Sequence, residues 1–400
     1  MILFLIQVFS LCLAVSSSFS PRRIARGILS PTGAGKIDVL YNPAFVPDVP
    51  SKYRRSVGKG RVLGRDSQAD TAVEPLTFYN KHYITPIVIG DQTFHLALDT
   101  GSQDIWVLSS ALPTSETSGR TVYIPSKSAV DTNRPWSISY GDGSFANGVI
   151  YSDTIAIGNI VIDQQAVYSA TFINGTLLSY PVDGLVGMSL GAKETSGDAS
   201  VLSNLLSHGL QSSVFACALV RPNEPNVQGF CTFGYVFGNS PVDYVDVITD
   251  TADNPSNFWM FPSTTAKIGS TVILRPNNKA IADTGTFLIK VDDTLLQAIY
   301  GTVNGKKDSS GMWMYPNTAS FPSITLPVGG FDVTLYSSDI DGGPAPNYPG
   351  YNYGTIQSRG SVGFDIFGDV WLNNVYAIFD LTQAQPRFGV IPRAYGKPTT

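Results

Sequence analysis

Two segments of this chain repeat one another at long range: Leu96-Ala-Leu-Asp99-Thr-Gly-Ser102 and Ala280-Ile-Ala-Asp283-Thr-Gly-Thr286, with their aspartates 184 residues apart. In each, an apolar run ends in Asp-Thr-Gly followed by a hydroxyl residue. One such tripeptide is an ordinary turn, because Asp bonds the backbone just beyond it and Gly relieves the bend. Turn chemistry does not explain a second copy after a second apolar strand. The repeat therefore constrains the chain to present two aspartates at two strand ends.

The remaining pattern says what carries those strand ends. At 400 residues the chain exceeds a single core of ordinary size, which favours two lobes once any processed segment is removed. From Phe78 onward, short apolar or β-branched runs (83–89, 94–98, 104–108, 149–151, 154–157) alternate with Gly, Asn, Asp and Pro clusters, an all-β pattern. Helical signals are few, the best being 199–206 and 292–300, the second with acids in its first turn.

Charge divides the chain into two materials. Residues 1–65 hold ten of the 26 basic residues and two of the 31 acidic ones, a balance of +8, so the remainder stands at −13. A body this acidic argues against nucleic acid as a partner. The first 16 residues form an apolar run with small residues Ala14 and Ser16 spaced as a cleavage site, and read as a signal peptide. A short membrane anchor is the alternative, since the run has no basic start, but its length is small for a span. Residues 17–70 then read as a basic propeptide able to lie across the acidic body, with a flexible linker as the alternative and with Arg55 and Arg65 as processing points. Export without retention is the simplest destination, a vacuole the alternative.

Of three cysteines, Cys12 leaves with the signal segment. Cys217 and Cys231 lie in two strand-like runs around a turn-rich stretch, and a hairpin centred near Glu224 sets them opposite one another at disulfide distance. Two free buried thiols are the other reading. Asn174-Gly-Thr176 is an open N-glycosylation sequon, whereas Pro255 spoils the one at Asn254.

Two carboxylates buried together are costly unless they share a proton, because like charges at contact cannot both ionise. A shared proton leaves one member ionised and one protonated, which suits polarising a water between them: one takes its proton, the other donates to the oxyanion that develops. That scheme uses no metal and no other cofactor. The titration belongs to the pair. Gly101 and Gly285 make room for tight turns, and Ser102 and Thr286 are placed to donate to the outer carboxylate oxygens.

With these residues the sequence resembles the pepsin-like aspartic proteases, from about Tyr83 to Ile391. The resemblance implies a bilobal all-β fold, residues 71–245 forming one lobe and 246–400 the other, with a cleft between two barrel-like lobes. Tyr140-Gly141-Asp142 looks like the tip of the flap that closes over substrate, and Trp106 like the tryptophan that hydrogen-bonds its tyrosine. Asp183-Gly-Leu-Val-Gly187 and Ile366-Phe-Gly-Asp369 match the strands that thread beside the two turns. Thr100 and Thr284 would exchange crossed bonds, and Leu177, Leu185, Phe258 and Ile281 would line apolar subsites. Asp142 would admit a lysine beside the scissile bond, as in fungal members that share Tyr-Gly-Asp-Gly. Lys52 resembles the propeptide lysine that offsets the dyad in zymogens, though dibasic cleavage at Arg54-Arg55 is another use of that stretch. The family also implies protein or peptide substrates, pepstatin-type inhibitors and a monomer.

Each residue has a plainer reading beside the functional one. Tyr140 alone is a hairpin packing residue, Trp106 and the four apolar residues are core, and Asp142 is a turn aspartate. Phe287 departs from the family, replacing a small hydroxyl residue and removing a hydrogen bond to substrate several residues from the cut. A binding protein that has lost catalysis is the rival from another class, but both aspartates and the flap tyrosine are retained. A paired-carboxylate glycosidase needs a wider separation than a shared proton allows. His82, His95 and His208 form no triad or metal pattern.

Overall fold

The β-branched runs of the first half become six strands that close on themselves. Around the ring they are His82–Ile89, Gln92–Asp99, Gly184–Gly187, Ile105–Leu108, Ile160–Ile173 and Phe145–Ile157, the last pairing back onto the first through Val88↔Ala156 and Ile89↔Ile155. Closure removes the open edges that a free sheet would expose. Phe94, Leu96, Leu98, Ile105, Val107 and Val186 fill the inside. The computed structural model describes residues 72–79, 82–158, 160–180, 182–208, 210–221, 229–237 and 240–393. The signal segment, the basic segment and Lys52, Arg54, Arg55 and Arg65 lie outside the described residues.

The runs at 149–151 and 154–157 are one strand, Phe145–Ile157, bent where its register shifts between Asp153 and Ile155. Asp153 reads as a break in the sequence but is buried, accepting the Tyr123 hydroxyl at 2.8 Å. The two expected helices form within about a turn of their signals. Val201–Ser207 is capped by the Ser200 side chain and Asp293–Gly301 by that of Asp292.

The second half repeats the centre of the first without closing it. Its main sheet runs Met260–Pro262, Lys279–Ala282, Asp365–Phe367, Ile289–Val291, Ile356–Ser358, and two four-stranded sheets complete the layer around it. In both halves the strand leading to the aspartate is parallel to a strand that runs to a glycine, Gly187 in the first half and Gly368 in the second, and that strand is antiparallel to the one that follows the aspartate turn. Leu98↔Val186 and Ile105↔Val186 mark this in the first half, Ala282↔Phe367 and Ile289↔Phe367 in the second.

An extension of the barrel sheet, continuous with it where Ala72–Tyr79 pairs with His82–Ile89, joins the halves. Six antiparallel strands, Asp243–Asp246, Arg387–Pro392, Val375–Asp380, Val214–Ala218, Gly229–Phe233 and Ala72–Tyr79, come from both sides of the 245/246 boundary. Cys217 and Cys231 face each other in this sheet and are bonded, with Cα atoms 4.1 Å apart. Phe215 stacks on Phe379 with ring centroids 4.5 Å apart, so one apolar core runs through both halves. The fold is all-β and bilobal, as the sequence pattern and the resemblance anticipate.

Candidate active site

Each Asp-Thr-Gly turn leaves its strand where the parallel neighbour ends, so the two aspartates emerge from the sheet rather than into its core. Asp99 is 6% exposed and Asp283 7%. The turns lock together by crossed bonds: the Thr100 amide donates to Thr284 Oγ1 at 3.0 Å and the Thr284 amide to Thr100 Oγ1 at 3.0 Å. Each threonine hydroxyl then donates across the junction, Thr100 to the Ala282 carbonyl at 2.9 Å and Thr284 to that of Leu98 at 2.8 Å. A donor and an acceptor from each half are thereby satisfied by the other half, so neither turn holds this geometry alone.

The glycines permit the approach. A Cβ at Gly101 would stand 2.5 Å from Asp283 Oδ1, and one at Gly285 would collide with Asp99 Oδ1. Each carboxylate is also held by its own turn. The Gly101 amide donates to Asp99 Oδ1 at 2.8 Å and the Gly285 amide to Asp283 Oδ1 at 2.9 Å. Ser102 and Thr286 hydroxyls donate to the Oδ2 atoms, at 2.5 and 2.7 Å. Burial first, and the neighbouring Asp283 second, push the Asp99 carboxyl well above its usual range. The pair therefore keeps a proton over a range of acidic and near-neutral pH.

Above the pair stands a hairpin of Val130–Ser139 and Phe145–Ile157, turned by Tyr140 to Ser144. Gly143 has φ of +83°, a conformation that favours glycine at the tip. Trp106 Nε1 donates to the Tyr140 hydroxyl at 2.6 Å. Trp106, Leu177 and Leu185 share one apolar cluster against which Tyr140 packs. Phe258 and Ile281 are not in that cluster: Phe258 packs on Phe364 and Ile281 lies in the strand pair with Met260, both in the second half. Asp142 does turn duty, with Oδ1 accepting from the Ser144 amide at 2.9 Å and hydroxyl at 2.6 Å, while Oδ2 takes the Thr176 hydroxyl at 2.5 Å. Asn174, half-buried, starts the short turn Gly175–Leu178 beside the tip end of the hairpin, and its backbone amide donates to the Phe145 carbonyl at 3.0 Å. Phe287 packs against the main core.

Two groups at the site had no role in the sequence reading. Asp369 is 1% exposed, and neither carboxyl oxygen has a hydrogen-bond partner among the described residues. Burial first, then Asp283 and Asp99, push it well above the usual range, which favours the neutral form of a third carboxyl close to the pair. Its signal was already present in Ile366-Phe-Gly-Asp369, quoted for the strand and not for its last residue. Tyr180 is the other: burial first, then Asp142, Asp99 and Asp283, raise its hydroxyl, which sets it among the same carboxyls.

Two carboxyls that face one another across paired turns and hold one proton between them can activate a water, the chemistry that defines an aspartic peptidase. Comparison with known proteins carries this to a family. The chain belongs to the eukaryotic aspartyl protease family, whose model matches residues 82–390. It is 36% identical over 353 residues to aspergillopepsin-1 of Aspergillus oryzae, covering 86% of this chain and 86% of that protein. Penicillopepsin-3 of Penicillium janthinellum is 34% identical over 348 residues, again 86% of each. Endothiapepsin of Cryphonectria parasitica is 34% identical over 329 residues, 80% of this chain and 77% of its own. The crystal structure of an aspartic proteinase from Irpex lacteus superposes with a TM-score of 0.69 at 20% identity, covering 82% of this chain and 99% of that one, a likeness of fold. The protein is an aspartic endopeptidase of fungal pepsin-like type.

Proposed function

We propose that Asp99 and Asp283 are the catalytic pair of this peptidase. Together they activate a water that attacks the peptide carbonyl without a covalent intermediate, at acidic pH and between bulky apolar residues. The observation that carries the reading is the reciprocal packing of the two turns, in which each glycine lies against the opposite carboxyl. The ionised carboxyl accepts a proton from water as the oxygen attacks. The protonated one donates to the carbonyl oxygen, and the proton taken from water passes to the departing amine. Ser102, Thr286 and the two glycine amides hold the carboxylates in orientation, so little reorganisation accompanies the charge movement. Thr100 and Thr284 position both turns.

Tyr140, Gly141 and Asp142 form the flap, and the Trp106 hydrogen bond fixes the flap tyrosine. Leu177 and Leu185 supply an apolar wall on the first half, with Phe258 and Ile281 as its counterparts on the second. The protein acts as a monomer on protein or peptide chains, is inhibited by pepstatin-type compounds, and is secreted after removal of residues 1–16 and of the basic segment to about residue 70. Lys52 is the lock of the zymogen, and Asn174 carries a glycan beside the hairpin tip.

The test is hydrolysis of a denatured protein at acidic pH by the Asp99→Asn and Asp283→Asn variants. Each is expected to lose activity by roughly a thousandfold or more while keeping the wild-type thermal transition. Undiminished cleavage by either variant removes the assignment.

A further inference from the structure

The two halves differ most at one matched position in the cleft. Seven residues after each aspartate comes the middle of the strand that follows the turn: Trp106 in Ile105–Leu108 and Lys290 in Ile289–Val291. Their registers correspond, Trp106 opposite Leu185 and Lys290 opposite Ile366, each on the strand parallel to the aspartate strand. Side chains alternate across a strand, so the neighbours of each define its direction. Ile105 and Val107 point into the barrel core, and Trp106 points the other way, to the cluster beneath the flap. Ile289 and Val291 are likewise fully buried in the core, which turns the half-buried Lys290 toward the cleft. Where the first half offers an indole, the second offers an ammonium.

Lys290 enters none of the ion pairs among the described residues. The charge it does meet is on the flap. Burial alone would raise the Asp142 carboxyl, but the hydrogen bonds from Ser144 and Thr176, and then the Lys290 charge, outweigh it and hold Asp142 below its usual range. The anionic form of Asp142 is thus favoured, with both oxygens engaged by the flap and the charge of a lysine from the opposite lobe acting on it.

We propose that Lys290 determines specificity in this cleft: its ammonium, opposed to Asp142, selects anionic substrate side chains next to the scissile bond and offsets the attraction of Asp142 for basic ones. The inference rests on the peptidase reading of the site. A fixed charge discriminates by sign, since a like charge brought beside it is repelled about as strongly as an opposite one is attracted. The flap acid alone would welcome lysine in the substrate. With Lys290 present, that place in the field is already taken by the protein's own cation.

The test uses one quenched fluorescent peptide scaffold carrying lysine, glutamine or cysteic acid in turn at each position flanking the cut. Cysteic acid is chosen because its sulfonate stays ionised in acid. The quantity read is kcat/KM for the cysteic acid peptide over that for the lysine peptide. At one flanking position or more the ratio is expected to exceed one in the wild type, to fall roughly tenfold in Lys290→Met, and to be kept in Lys290→Arg. Added salt is expected to erode it in the wild type. A ratio unchanged in Lys290→Met at every position, with the glutamine peptides still cleaved and Asp283→Asn inert, overturns the role of Lys290 and leaves the peptidase reading standing. Failure of the wild type to cleave any peptide overturns the reading itself.

Discussion

The two halves bury an aspartate at the foot of the inserted strand beside the aspartate turn, and they do so by different means. In the first half Asp183 takes backbone amides, His95 at 2.7 Å and Thr121 at 2.7 Å, with the exposed His95 ring 3.6 Å away. In the second half Asp365 is fully buried and is held by side chains: Arg275 at 2.9 Å, Arg359 at 2.7 Å and Asn278 at 3.0 Å. Arg275 also reaches Asp292, the cap of the helix Asp293–Gly301. The first lobe closes its main sheet into a barrel and needs no such clasp. The second lobe leaves its sheets open, and cations tie separate segments to one carboxylate. Equivalent turns therefore sit on a hydrogen-bonded scaffold in one lobe and an ionic one in the other.

This contrast sets an order of expected effects. The largest is for Arg275→Met, which leaves Asp365 buried with part of its charge uncompensated and is expected to cost about 3–5 kcal/mol in chemical denaturation. His95→Asn keeps the backbone amide that Asp183 uses and is expected to cost less than about 1 kcal/mol. Equal losses would mean that the two clasps are equivalent after all. Next come Gly101→Ala and Gly285→Ala, whose added methyls would meet Asp283 and Asp99 respectively. Each is expected to lower kcat/KM roughly a hundredfold, since a displacement of about 1 Å at the reacting groups has that effect. A large loss at one glycine only would show that the halves are less alike at the turns than their bonds suggest.

The smallest effects concern pH. Burial first, and then neighbouring acids, raise Glu194 in the first lobe, as burial and the dyad raise Asp369 in the second. Carboxyls raised in the folded state contribute stability that is complete below their unfolded pKa of about 4 and is lost as pH rises through the folded value. Asp183 and Asp292 are lowered: burial opposes ionisation, but hydrogen bonds, and for Asp292 also the Arg275 charge, outweigh it. Their contribution is present above about pH 4 and is lost as pH falls through the folded value. The melting temperature is expected to decline from mildly acidic toward neutral pH, and Glu194→Gln to flatten that decline by a few degrees in a calorimetric pH series. A decline as steep in the variant would move the cause to Asp369 and the paired aspartates.

What was legible in the sequence is what chemistry requires of consecutive residues. The two turns, the flap tip and the Gly strands each fit in a few adjacent positions, and their order along the chain was enough to anticipate the fold and the pairing of Asp99 with Asp283. The clasp around Asp365 was not legible, because Arg275 lies 90 residues from it and an isolated arginine carries no pattern. Lys290 was missed for a related reason. Its meaning lies in matching Trp106 across the two halves, a comparison available from the spacing after each aspartate but not from any motif. The bend at Asp153 read as a strand end because a buried, satisfied aspartate has the same letter as a turn residue.

The sheet that joins the halves has a consequence for the order in which this protease comes into being. Val214–Ala218 lies between Gly229–Phe233, made soon after it, and Val375–Asp380, made long after it. The crossed threonine bonds impose the same wait on Asp99, whose turn is completed only by residues 184 positions later. A growing chain thus holds half a dyad until Asp283 is made, and an unfinished sheet until Val375–Asp380 follows. On the reading of Asp99 and Asp283 as one catalytic pair, the nascent polypeptide is without peptidase activity over the first of those intervals.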